Sequence, residues 1–272
     1  MQFVDKAFAR LLESAEEMPQ IDIAKLLRIT KPEIGAAVEE ICGGHMVFAG
    51  LNSPVGRAVG LGFADPITDA DLDRLESFYR SHNAPAQIDV CALHDMQLLE
   101  TLKGRGYVMA ELNNVLYRPL DPAEQFPDGP PGIEIRRGQP EEAAVFADIL
   151  SRCFYEKENA PEGFGDLLTP LYQVAEAMTF VAILDGAIVA VAAGRVIPQH
   201  RVLALMGAGT LSDYRRRGLQ TALFRRRMEA AANSGCEVAV VVTQGGTVSQ
   251  RNAERLGFRV AYSKATLWKN FE

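Results

Sequence analysis

The sequence is poor in the residues that build metal and redox centres. Its 272 residues include only four cysteines and four histidines. Cys42, Cys91, Cys153 and Cys236 form no Cys-x-x-Cys pair and have no histidine at metal-ligand spacing. His45, His82 and His94 are too scattered to suggest a metal site. Four isolated thiols are expected to be reduced, as in a cytoplasmic protein. Long apolar runs are missing as well. No window holds 18 uninterrupted apolar residues, so no transmembrane helix and no membrane partner are expected. The opening segment mixes Asp5, Lys6, Arg10 and Glu13 among its apolar residues, the pattern of an amphipathic helix and not of a secretory leader. Positive charge is in deficit: 28 Lys and Arg stand against 35 Asp and Glu, a net of −7. That balance argues against a non-specific nucleic-acid binder.

What is present suits a globular chain with a substantial core, 48% apolar and 23% charged. The charge is uneven. Residues 1–132 hold 11 Lys and Arg against 20 Asp and Glu, a net of −9, whereas residues 133–272 hold 17 against 15, a net of +2. Between those halves, residues 119–132 contain five prolines and two glycines. Prolines this dense prevent helix and central strand alike, so a linker is expected there.

The second half alternates elements. Residues 133–137 predict a strand and 140–154 a helix, with Pro140 suited to its first turn. A second helix is expected over 164–176. Apolar runs at 179–184 and 187–197 flank Asp185-Gly186, a strong signal for a tight hairpin. Residues 202–211 read as a further strand and 217–234 as a helix, with Leu223, Phe224, Met228, Ala231 and Ala232 on one side. Residues 237–243 read as a strand buried on both faces. A short helix at 249–256 and a closing strand over 258–268 complete the half. The end of the first half has the same order: helix 68–81, strand 86–90, helix 95–103, strand 108–117. A diverged internal duplication explains the echo, although such an order also recurs by chance in α/β proteins.

Residues 208–223 carry the most chemistry. An apolar strand ends, Arg215, Arg216 and Arg217 follow, and Gly218 opens a helix. The first N–H groups of a helix have no internal acceptors, and the helix dipole adds positive potential there. Gly218 lets a ligand approach the backbone, and guanidinium groups match phosphate geometry. The segment is neither a P-loop nor a three-glycine dinucleotide turn. Read by its residues alone, it is an anion cradle or a solvated basic turn.

This segment resembles the GNAT superfamily of acyl-CoA-dependent N-acyltransferases. That family places Arg/Gln-x-x-Gly-x-Gly/Ala between its fourth strand and third helix, and here the run is Arg215-Arg216-Arg217-Gly218-Leu219-Gln220. Tyr214, Leu223 and the downstream run from Ser249 to Phe258 fit as well. The resemblance implies an α/β protein with a tandem GNAT-like fold, a mixed central sheet flanked by helices in each half. It implies a degenerate half without a cofactor site at 1–118, a Pro/Gly-rich linker at 119–132 and an acetyl-CoA-binding half at 133–272. The N–H groups of Arg217, Gly218, Leu219, Gln220, Thr221 and Ala222, with Arg215 and Arg216 nearby, would hold the pyrophosphate of acetyl-CoA. Ala208, Gly209, Thr210 and Leu211 would pair with the pantetheine arm like an added strand. Asn252 and Ser249 would assist, or would only cap their helix.

Two departures from the family pattern stand out. Gln220 occupies a position the family gives to Gly or Ala, and Ala253 a position where many members carry a tyrosine that protonates the leaving thiolate. Tyr262 is the nearest alternative acid, or only a sheet aromatic. Strand 202–211 has no Asp, Glu or His to serve as base, which leaves Glu156, Glu158, His200 or a water relay. No metal is needed. The turn that echoes the arginine cradle, Pro66 to Asp71, is acidic and would repel a diphosphate. The expected function is therefore transfer of an acetyl group to a primary amine in a ternary complex. The alternatives are an acyl-CoA-binding sensor without turnover, and an interaction scaffold whose arginines form only a surface.

Overall fold

The computed structural model describes residues 3–64, 66–93, 96–127, 129–155, 160, 163–174 and 176–271. The chain divides into two compact units. The first comprises Met1–Tyr117, Val242–Arg251 and Phe258–Glu272; the second comprises Arg118–Val241 and Asn252–Gly257.

The first unit opens with α1 (Lys6–Thr30), whose N-cap Asp5 accepts from the Phe8 N–H at 2.8 Å. Its buried positions include Phe8, Leu12, Ala15, Ile23 and Leu27, an apolar stripe at helical spacing. A hairpin follows, β1 (Ala37–Ile41) and β2 (Gly44–Phe48), closed by Cys42 and Gly43 at φ 46° and 75°. Two successive left-handed residues are what a two-residue hairpin turn requires. Next come α2 (Asp69–Ser81), β3 (Ala86–Cys91), α3 (Met96–Gly104) and β4 (Val108–Pro119).

The second unit holds β5 (Glu134–Arg137), α4 (Ala143–Phe154), α5 (Phe164–Leu168), α6 (Pro170–Gln173), β6 (Phe180–Leu184), β7 (Ala187–Ile197), β8 (Val202–Thr210) and α7 (Leu219–Asn233). The next elements, β9 (Val238–Gln244) and α8 (Val248–Arg255), each cross from one unit to the other. The chain closes with β10 (Arg259–Lys269). In the second unit the sheet order is β9-β8-β7-β6-β5. Pairing is antiparallel from β5 to β8 and parallel between β8 and β9, so the sheet is mixed. The parallel pair is joined through α7, the crossover such a pair demands.

The expected elements appear with three informative differences. The helix expected over 164–176 is split into α5 and α6, because Pro170 has no N–H to continue the first and instead starts the second. Helix α7 begins at Leu219 and not at Arg217, because Arg216 and Gly218 are left-handed at φ 63° and 78°. The closing strand, expected with the second half, pairs in the first unit. There β10 lies between β3 and β4 and is antiparallel to both.

Candidate functional site

Strand β8 changes character halfway. Val202, Leu203, Ala204 and Leu205 are buried, paired with β7 on one edge and with β9 on the other. The pairing with β9 ends at Leu205–Val241. From Met206 to Thr210 the strand is paired with β7 alone among the described residues, and its register slips by one: Ala192 faces Ala208 and Ala193 faces Met206. The extra residue is Gly207, at φ 47°. This is a β-bulge, which bends the strand and interrupts its ladder. Gly209 is required for a different reason. A Cβ there would lie 2.8 Å from Cys153 Sγ and 3.0 Å from its Cβ, so only glycine lets α4 pack against this stretch.

The strand then feeds a short 3-10 turn, Ser212–Tyr214. Arg215 folds back so that its Nε donates to the Thr210 carbonyl at 3.1 Å, and the Arg217 guanidinium lies 5.6 Å from the Tyr214 ring centroid. Arg215, Arg216, Arg217 and Gly218 are exposed. Gly218 is the N-cap of α7, with no side-chain cap and no acid in the first turn. Ala222 N–H donates to the Gly218 carbonyl at 3.0 Å, while the N–H groups from Arg216 to Thr221 find no acceptor among the described residues. Among the described residues, a Cβ on Gly218 would touch only Pro130 Cγ, at 3.4 Å. The Thr210 hydroxyl is buried without a partner among the described residues. Together these groups form an open set of N–H donors at a positive helix end, ringed by guanidinium groups and preceded by a strand with a free edge. Chemically this suits an anion joined to an extended, amide-bearing arm.

The other expected site residues are placed as follows. Leu211 follows β8 and is half-buried; Leu219 and Ala222 are buried on α7; Gln220 and Thr221 are half-buried beside them. Asn252 is half-buried on α8 and belongs to the second unit, whereas Ser249, one turn earlier, is exposed and belongs to the first. His200 is exposed. Glu156 and Glu158 lie outside the described residues.

Tyr262 is placed against its expected role as an acid. It is buried on β10 in the first unit, and its hydroxyl donates to Glu13 Oε1 at 2.7 Å. Burial, reinforced by the Glu13 charge, drives its pKa far above the ordinary phenol value, so the proton stays on oxygen and is already engaged. It belongs to a buried ionic cluster. Lys264 Nζ lies 3.5 Å from Glu13, 3.3 Å from Glu16 and 3.2 Å from Asp89, and Thr266 donates to Asp89 Oδ1 at 2.6 Å. Asp89 Oδ2 lacks a well-angled hydrogen bond but has Lys264 at ion-pair distance, so the cluster is charge-paired. Burial alone would lower the Lys264 pKa; Glu13, Glu16 and Asp89 outweigh it and keep the ammonium charged. The same burial raises Glu13, whereas Lys264 and Arg57 hold Asp89 below its usual range.

Sequence reasoning missed Arg227. It is completely buried on α7 and bonds carbonyls on β7 and β8. The signal was present: Arg227 falls three and four residues after Phe224 and Leu223, within the apolar face of the helix.

Among the described residues no group of three His, Cys, Asp or Glu could hold a metal ion, and no helix is long and apolar enough to cross a membrane. Residues 144–258 match the model of the acetyltransferase (GNAT) family. No curated protein matches the chain in sequence. Among solved structures, a GCN5-related N-acetyltransferase from Kribbella flavida superposes with a TM-score of 0.64 at 17% identity, over 93% of this chain and 96% of that one. A tandem GNAT protein from the clavulanic acid biosynthesis pathway gives 0.62 at 14% identity, over 86% and 78%. A GCN5-related N-acetyltransferase from Sphaerobacter thermophilus gives 0.55 at 19% identity, over 70% and 62%. The fold is thus the tandem GNAT-like α/β arrangement expected from the sequence.

Proposed function

We propose that the chain transfers an acetyl group from acetyl-CoA to a primary amine of an acceptor, since residues 144–258 match the model of the acetyltransferase (GNAT) family. Transfer is direct, within a ternary complex. The amine nitrogen attacks the thioester carbonyl, the C–N bond forms as the C–S bond breaks, and the amine's proton passes through water to the departing thiolate. A water relay is the economical route, since β8 carries no acid, base or histidine and Tyr262 is engaged elsewhere.

The observation that carries this reading is the uncapped start of α7 directly after a bulged strand with a free edge. The N–H groups of Arg217 to Ala222 would receive the pyrophosphate, with Arg215, Arg216 and Arg217 adding charge. The backbone of Ala208 to Leu211 would pair with the pantetheine amides, and the Thr210 hydroxyl would find its missing partner there. Asn252 and Ser249 remain candidates for the arm's far end. Catalysis would come from holding the two reactants together and from backbone donors at the thioester oxygen.

The first half would contribute no donor site. Helix α2 is closed by its own capping box and begins with Asp69 and Asp71. The net of −9 over residues 1–132 favours a cationic, amine-bearing acceptor. A second reading is an acyl-CoA sensor without turnover, favoured by the absence of an acid or base on β8.

Calorimetric titration with acetyl-CoA, followed by thiol release with a panel of amines, tests both. The expected result is one site per chain, weakened by salt and by Arg216→Ala with Arg217→Ala, and turnover with one amine class. Binding without turnover supports the sensor; absence of binding at millimolar ligand overturns both.

A further inference from the structure

Arg227 combines three features rarely found together. It is 0% exposed, it has no carboxylate beside it among the described residues, and its guanidinium sits where two strands break register. Nε donates to the Leu223 carbonyl of its own helix at 3.1 Å. Nη1 donates to the Ala193 carbonyl at 2.6 Å and reaches the Met206 carbonyl at 3.5 Å. The guanidinium carbon lies 4.9 Å from the Phe224 ring centroid, and Nη2 has no partner among the described residues. Burial lowers the group to about 9, which leaves it protonated at neutral pH.

A buried, unpaired cation is costly, and an apolar side chain of similar size would ordinarily serve a core better. What the arginine does here follows from its acceptors. Ala193 and Met206 are register partners on β7 and β8, immediately beside the extra residue Gly207. A bulge removes one rung from the ladder and leaves backbone carbonyls in need of donors. The Arg227 fork supplies donors from the helix face to both strands at that rung. It therefore fixes where the slip occurs. Because side chains and backbone groups alternate along a strand, a slip displaced by one residue would turn the free-edge N–H and C=O groups of 207–210 the other way.

We propose that Arg227 is a positioning residue: it pins the Gly207 bulge and thereby sets the phase of the β8 free edge that receives the acyl-bearing arm. The part concerning the arm rests on the acetyl-CoA reading above; the pinning of the bulge does not.

The test uses the full chain with Arg227→Met, which keeps volume and removes every donor, and Arg227→Lys, which keeps the charge and one donor. Acetyl-CoA carries both arm and pyrophosphate, whereas ADP carries only the nucleotide and pyrophosphate and reports on the α7 cradle. Arg227→Met is expected to weaken acetyl-CoA about tenfold or more, the scale of losing charged hydrogen bonds. ADP binding should be unchanged, and Arg227→Lys should recover part of the loss. Without ligand, amide hydrogen exchange in residues 206–210 should accelerate in Arg227→Met while that in β6 does not. Native acetyl-CoA affinity in Arg227→Met, or an equal loss for ADP, overturns the role at the arm. Unchanged exchange in residues 206–210 overturns the pinning of the bulge, and this holds even if the native chain binds neither probe, a result that would count against the acetyl-CoA reading alone. If Arg227→Met does not fold, Arg227→Lys supplies both readouts by the same criteria.

Discussion

Substitution of Gly218 separates two reasons for a glycine at the head of α7. Its φ of 78° and ψ of 4° lie in the left-handed region, where an L residue costs roughly 1–2 kcal/mol and asparagine is tolerated better. Among the described residues a Cβ there meets only Pro130 Cγ at 3.4 Å, an ordinary contact, so crowding by them adds little. Gly218→Ala should therefore lower stability by about 1 kcal/mol, read by urea denaturation. Gly218→Asn should cost less. Binding should follow a different rule. A phosphate held by the N–H groups of 218–221 must come close to the Gly218 backbone, where any side chain intrudes. Losing one charge-assisted hydrogen bond is worth about 1.5–3 kcal/mol, or a roughly 10- to 100-fold weaker acetyl-CoA affinity by calorimetry. Both variants should show it. If Gly218→Asn binds acetyl-CoA like the native chain while Gly218→Ala does not, glycine serves only the backbone conformation, and the close approach of phosphate is refuted.

Three further outcomes are expected. Gly209→Ala should destabilise by about 1–3 kcal/mol through overpacking, since its new Cβ would fall 2.8 Å from Cys153 Sγ; adding Cys153→Ala, which removes the Sγ but keeps the Cβ, should recover part of the melting temperature, and no recovery would mean the Cys153 thiol does not set the need for glycine. Lys264→Met should lower stability by about 3–5 kcal/mol in chemical denaturation, because it strips the buried Glu13 and Asp89 of their shared cation. Glu142 is held down to about 2 by the Arg136 side chain, and further by the Gln139 N–H and the Tyr172 hydroxyl. A depressed carboxylate stabilises fully above its unfolded value of about 4.3 and loses that contribution as pH falls through the folded one. Glu142→Gln should accordingly flatten the acid limb of the melting-temperature profile between those two values.

The strands and helices of the second half could be read from sequence because each announces itself locally. Asp185-Gly186 forms the hairpin turn its composition demands, at φ 50° and 78°, and Pro140 stands at the first turn expected for it. What could not be read was partnership. The alternation in residues 258–268 specifies a strand but not which neighbours it takes, and β10 pairs with β3 and β4 through contacts that run from Arg259–Tyr117, 142 residues apart, to Lys269–Ala86, 183 apart. The partner of Tyr262 was hidden for the same reason. As a strand aromatic it faces one side or the other, and only the pairing of β10 within the first unit brings it onto Glu13. Within the strand expected over 202–211, Gly207 is a bulge and Gly209 a contact surface for α4. Neither purpose shows in a periodicity.

Helices α2 and α7 begin with the same physical problem and resolve it in opposite ways. Each has N–H groups at its start without internal acceptors. In α2 the chain satisfies them itself. Thr68 Oγ1 accepts from the Asp71 N–H at 3.3 Å, Asp71 Oδ2 accepts from the Thr68 N–H at 2.9 Å, and Asp69 and Asp71 set negative charge on the dipole's positive end. In α7 there is no side-chain cap, no acid, and a left-handed glycine where a Ser, Thr or Asp would contribute about 1 kcal/mol of stability. Folding alone favours the first arrangement. A chain that keeps the second, and then lines it with Arg215, Arg216 and Arg217, leaves donors and positive potential for something it does not itself contain. An external anion resolves the deficit at α7, and no corresponding deficit exists at α2. On this argument the two halves differ in the vacancy at one helix start more than in their order of elements, and the proposed function predicts one acetyl-CoA per chain.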